Sequence, residues 1–160
     1  MKRAALFAAL IAAPALMLAA RAQEPTTAQP KLPTEHITIV TKDGQSHPFD
    51  VEVAATPAQQ TVGEMFRPSV PADGGMLFVW PAAQESQMWM KNTLVPLDMV
   101  FIDPDGTIRA IAEETVPRSL RIIDSGGSVA ATLELAGGTT ARLGIVVGDK
   151  VTGPQFHGAG

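Results

Sequence analysis

Between His36 and Val151 the apolar residues come in short runs, each cut off by a proline, a glycine or an Asp-Gly pair. Side chains on a strand point alternately to opposite faces, so such runs describe strands and leave little room for long helices. His36 to Thr41 alternates polar and apolar, Asp43-Gly44 supplies a hairpin turn, and Phe49, Val51 and Val53 share one face on the return. Met76 to Trp80 reads as an apolar strand ended by Pro81. Asp103-Pro104-Asp105-Gly106 fits a type I turn joining Leu97–Ile102 to Thr107–Ala112. No further oxygen ligands follow it at calcium-loop spacing. Ser125-Gly126-Gly127 marks a flexible loop and Val129 to Ala136 another strand. Gly137 to Thr140 leads into a short turn or helix, and Gly144 to Val151 closes the domain with a tight turn at Gly148-Asp149. One helix is plain: Thr56 caps it, Pro57 takes its first position, and it runs to about Phe66, before Pro68. The pattern predicts a β-rich α+β domain. Its sheet is barrel-like or strongly curved and mostly antiparallel, with one or two short helices.

The amino-terminal end follows another logic. Met1-Lys2-Arg3 is basic, Ala4 to Ala20 is apolar, and Ala20-Arg21-Ala22 has the small-x-small pattern of a signal-peptidase site. The apolar run contains Pro14 and is shorter than the ~20 residues of a membrane span. Residues 1–22 are therefore expected to be a cleaved signal peptide. Residues 23–34, rich in proline, threonine and glutamine, are expected to be a disordered or extended tether. The domain then occupies residues 35–153, and 154–160 form a flexible tail. There is no cysteine, so disulfides, thiol catalysis and a lipoprotein anchor are excluded. Losing Lys2, Arg3 and Arg21 leaves nine basic residues against 16 acidic ones, a net charge of −7. That balance argues against nucleic acid and against anionic lipid as partners. The expected location is the periplasm or the exterior.

The stretch from Met88 to Asp103, MWMKNTLVPLDMVFID, sets charges inside an apolar run. A charge there is costly unless it faces water, pairs or serves a site. Alternation turns Met88 and Met90 inward and Trp89 and Lys91 outward, and it sets Leu97, Met99 and Phe101 against Asp98, Val100 and Ile102. Leu133 and Leu135 oppose Thr132 and Glu134 in the same way. An outward Trp89 needs cover, which suggests a partly covered second face. Lys91 and Asp98 could pair there as a simple salt bridge, with Asn92 capping a turn. They could equally hold a ligand's polar groups beside Trp89.

These residues, taken together, resemble the family called domain of unknown function 192 (DUF192), small prokaryotic proteins that are often exported. The likeness runs through Val53-Ala54, Thr61 to Arg67, Gly75 to Phe78, Trp89 to Thr93, Pro96 to Asp98 and Phe101 to Asp103. It continues through Leu133 to Leu135, Gly138, Gly144 and Gly148-Asp149. Glu64 stands where the family usually has leucine, and Met88 where it usually has phenylalanine. The resemblance implies a β-rich fold and no mechanism.

The functional expectation is a binding module for a small molecule or an envelope component, with no cofactor and no metal. Its candidate ligand residues are Trp89, Lys91, Asn92, Asp98 and Glu134, with Arg67 further out. The alternative is a hydrolase acting on a cell-envelope substrate through Asp98 and Glu134 as acid and base. A serine hydrolase is disfavoured, since there is no glycine-x-serine-x-glycine elbow and His36, His47 and His157 lie at the periphery. A structural or partner-binding role comes third, or else Cu(I) binding through the Met88 and Met90 sulfurs. Ordinary core packing explains those methionines as well.

Overall fold

The computed structural model describes residues 24–156. The expected signal peptide, Gln23 and the end of the tail with His157 lie outside them. The elements are β1 (Thr34–Val40), β2 (Ser46–Ala54), α1 (Pro57–Val62), β3 (Gly74–Met88), β4 (Leu97–Ile102), β5 (Ile108–Ala112), β6 (Ile123–Ala136), α2 (Thr139–Leu143) and β7 (Lys150–Thr152). All seven strands join one curled sheet in the order β5-β4-β6-β3-β2-β1-β7, antiparallel except for β2 beside β3. Its two edges meet where Ile108 N–H donates to the Asp149 carbonyl and Val151 N–H to that of Gly106.

Two cores flank the sheet. The first draws on all seven strands, with Ile37, Phe49, Leu77, Val100, Ile108, Leu133 and Val151 among its members. The second lies on the other face of β3, β4 and β6 and holds Met76, Phe78, Met88, Met90, Leu97, Met99 and Phe101. The expected alternation of β4 therefore holds, but both of its faces are covered and all six of its residues are buried. The partly covered second face is instead a second core.

Local chemistry accounts for the elements the sequence marked. Thr56 and Gln59 form a capping box at α1. Gly106 N–H closes the β4–β5 turn onto the Asp103 carbonyl. Asp103 pairs with Arg109 and Asp105 with Lys150, so both carboxylates of that turn have partners.

Several expectations need correction. Helix α1 stops at Val62, because Gly63 has a φ of 49° and the space for a Cβ there is 2.9 Å from the Phe78 ring. Strand β3 continues through Pro81, which falls where the register against β6 slips, so no ladder hydrogen bond is lost. Ser125 to Gly127 belong to β6 and not to a loop. The Ser125 hydroxyl accepts from Ser86 N–H and donates to the Gly127 carbonyl, bridging a second slip. Ile145 to Val147 are not strand, and β7 is only three residues long.

Residues 24–33 have no helix or strand, yet they lie against the domain. Gln29 Nε2 donates to the carbonyls of Gln59 and Gly63, Leu32 N–H donates to Glu52, and Leu32 packs on the second core. At the other end, Phe156 is buried in the first core and Gln155 bonds Glu35, so the domain reaches past residue 153.

Candidate functional site

Beyond the end of α1, Gly63 turns the chain so that Glu64 faces β3. Across from it, Glu134 sits on β6 between Met76 of β3 and Met99 of β4, on the second-core face. Gly75 allows the close approach: a Cβ there would fall 2.3 Å from the Glu134 carbonyl oxygen. Where β3 ends, Met88 and Met90 turn into the second core and Trp89 and Lys91 turn out. Glu64, Phe78, Trp80, Trp89, Lys91 and Glu134 then line one open cavity of about 410 Å³.

Its polar groups are poorly matched within the protein. Glu64 and Glu134 are each only 4% exposed. Burial pushes the Glu64 carboxyl up to about 7, although the Arg67 guanidinium pulls the other way. Burial also raises the Glu134 carboxyl well above the usual range, and the neighbouring Glu64 charge adds to that. No hydrogen bond relieves Glu134 among the described residues. Glu64 Oε2 lies 3.3 Å from Arg67 Nε but outside hydrogen-bonding geometry, and the Trp80 Nε1–H is buried without an acceptor. At the rim Trp89 is 43% exposed, with Lys91 Nζ 5.1 Å from its ring centroid.

Trp89, Lys91 and Glu134 are thus brought to one cavity, and the remaining candidates are not. Asn92 takes a left-handed turn, φ 56°, its carbonyl accepting from Phe66 N–H and its amide contacting the Met65 sulfur. Arg67 stands behind the cavity. It grips both Glu52 oxygens, at 2.6 and 2.9 Å, and holds that carboxyl below the usual range against the effect of burial.

Asp98 faces the other way. In the β4–β6 register it lies opposite Leu135 while Met99 lies opposite Glu134, so the two carboxyls point to opposite faces of the sheet. Asp98 is fully buried and accepts from the N–H groups of Glu114, Gly138 and Thr140 and from the Thr140 hydroxyl, at 2.7–2.9 Å. Those bonds hold its carboxyl below the usual range although burial alone would raise it. Lys91 bonds Glu24 instead, at 2.6 Å. Neither the Lys91–Asp98 pair nor the Asp98–Glu134 acid–base pair forms.

The residues missed from the sequence are Glu64, Phe78 and Trp80. Glu64 had a signal, as the one charge between Val62 and Phe66 and a departure from the leucine that the resemblance leads one to expect. Trp80 had none, because its strand reads as core throughout.

Several solved structures are similar to the chain, among them the following two. One is a protein from Sinorhizobium meliloti 1021 described as a candidate transcription regulator, 43% identical over 81% of this chain and 100% of that one, with a TM-score of 0.78. The other is a protein of unknown function from Novosphingobium aromaticivorans DSM 12444, 36% identical over 79% of this chain and 91% of that one, with a TM-score of 0.74. No curated protein matches. The DUF192 family model, described as Uncharacterized ACR, matches residues 38–153, and the chain belongs to that family.

Proposed function

We propose that the protein is an exported module that binds a small ligand in the cavity between Glu64, Trp80, Trp89 and Glu134. The observation that carries this reading is one concavity walled by Glu64, Trp80, Trp89 and Glu134, which brings together a Glu134 carboxyl without a hydrogen bond and two residues whose buried Oε2 and Nε1 atoms have no partner. A buried polar group without a partner costs about 1–3 kcal/mol, and a ligand that completes it recovers much of that. Groups kept at such a cost mark binding sites more often than scaffolding. The half-exposed Trp89 offers the ligand an apolar wall.

The hydrolase reading loses its carboxylate pair, since Asp98 is turned away and fully engaged. Copper gains nothing, because the Met90 sulfur accepts the Thr115 hydroxyl at 3.0 Å and Met88 packs in the second core. The description of the Sinorhizobium meliloti protein points to nucleic acid, and the acidic charge of the mature chain weighs against carrying it over.

The test is a thermal-shift screen against envelope metabolites. A ligand at a hundred times its Kd contributes about 2.7 kcal/mol, and for a domain this size the midpoint should rise by roughly 5–10 °C. The rise should vanish in Trp89→Ala. If no compound shifts wild type, or if the shift survives that substitution, the cavity is not the binding site.

Export rests on the basic start, the apolar run and the Ala20-Arg21-Ala22 motif. Mass spectrometry of the exported protein should find Gln23 as its first residue. An intact Met1 on membrane-bound protein would overturn the assignment.

A further inference from the structure

We infer that the ligand is an uncharged polyhydroxylated molecule, a sugar unit stacked on Trp89 with its hydroxyls directed at the Glu134 carboxyl. This rests on the cavity being the binding site and goes on to name the chemistry that fits it. The argument proceeds by what each ligand class would meet inside.

An anion would enter against two carboxyls. The guanidinium nearest them is already bonded to both Glu52 oxygens and lies behind the cavity. A cation would meet Lys91 at the rim, where its Nζ already stands over the Trp89 ring, and Arg67 Nε 3.3 Å from Glu64. A purely apolar ligand would cut the Glu134 carboxyl off from water and offer it no hydrogen bond.

A hydroxyl suits the Glu134 carboxyl in either protonation state, because it carries one donor and two acceptor lone pairs. Several hydroxyls around one flat apolar ring face describe a pyranose, and an exposed indole is the matching platform. The cavity, at about 410 Å³, lies near the lower end of the ~300–1,000 Å³ range for small-ligand sites and suits roughly one or two such rings.

The chain carries its own reporter. It has two tryptophans and no tyrosine, and both tryptophans line this cavity, so intrinsic emission reads the site with no background from elsewhere. The probes are glucose, N-acetylglucosamine, maltose and cellobiose, with putrescine and citrate as charged controls. At least one neutral saccharide should give a saturable emission change, weakened at least tenfold in Glu134→Leu. Co-sedimentation with isolated cell-wall glycan would then separate a polymer end from a free sugar as the source.

No response to any saccharide overturns the sugar assignment, and so does a saccharide response that Glu134→Leu and Trp89→Ala leave intact. If saccharides are silent while putrescine, citrate or another compound saturates the emission change, the class is wrong and the binding site stands. If the thermal-shift screen is silent as well, both readings fall.

Discussion

Asp98→Ala lowers the unfolding free energy by at least about 4 kcal/mol, or prevents folding outright. The substitution strips the acceptor from four donors at once: the buried N–H and hydroxyl of Thr140 and the part-buried N–H groups of Glu114 and Gly138. An unsatisfied buried donor costs about 1–3 kcal/mol, and a whole domain is stable by only about 5–15 kcal/mol. The bonds also tie β4 to the segment after β5 and to the start of α2, so their loss releases three parts of the fold together. Asp98→Asn keeps the volume but turns an NH2 toward N–H donors, and should fall between wild type and alanine. Because the folded Asp98 carboxyl lies below 3.8, its contribution is present above that value and fades as pH falls through the folded one. Urea titration at pH 7 decides the matter. A cost below about 1 kcal/mol for alanine would show that water replaces the carboxylate and that the network is not structural.

The same residue shows how far sequence reaches. Strand alternation placed Asp98 with Val100 and Ile102 and against Leu97, Met99 and Phe101, and the two cores confirm that division. Alternation names the face and not what covers it. The donors that claim Asp98 lie 16, 40 and 42 residues away in sequence, too far for local pattern to reveal. The β4–β5 turn and the Thr56 cap were legible because their chemistry is complete within a few residues. Pro81 misled for the opposite reason. It ends a strand only if its missing N–H is needed, and a register slip set by the partner strand removes that need. At residues 24–33 composition suggested a disordered or extended tether but could not show where it docks: Gln29 meets two carbonyls on the α1 segment and Leu32 the second core. Trp89, Lys91 and Glu134 could be named from the sequence as candidates and do line one cavity. Glu64 joins them only because the chain turns at Gly63, where the Phe78 ring leaves no room for a Cβ.

Glu64 and Glu134 give the domain a pH dependence opposite in sign to that of Asp98. A glutamate with a folded value raised above 4.5 keeps its proton in the fold after the unfolded chain has released it. The folded state then binds more protons than the unfolded one, and stability falls as pH rises above 4.5, by up to about 1.36 kcal/mol per unit for each such group. For Glu64, carried from 4.5 to about 7, the loss comes to about 3 kcal/mol by neutrality. Glu134 adds to the slope in the same direction, since its nearest charge is Glu64 and no cation offsets it. The unliganded domain should therefore be most stable near pH 5 and distinctly weaker at pH 7.5. Glu134→Leu should stabilise it at pH 7.5, because an apolar side chain among Met76, Met99 and Phe78 has no charge to desolvate. The double variant Glu64→Gln with Glu134→Leu should flatten the slope between pH 5 and 7.5. Guanidinium titrations at half-unit steps would measure it. A wild-type stability that is level or rising over that window, or a slope the double variant retains, would mean that the two carboxyls ionise as freely in the fold as in the unfolded chain. The cavity would then be far wetter than its walls imply.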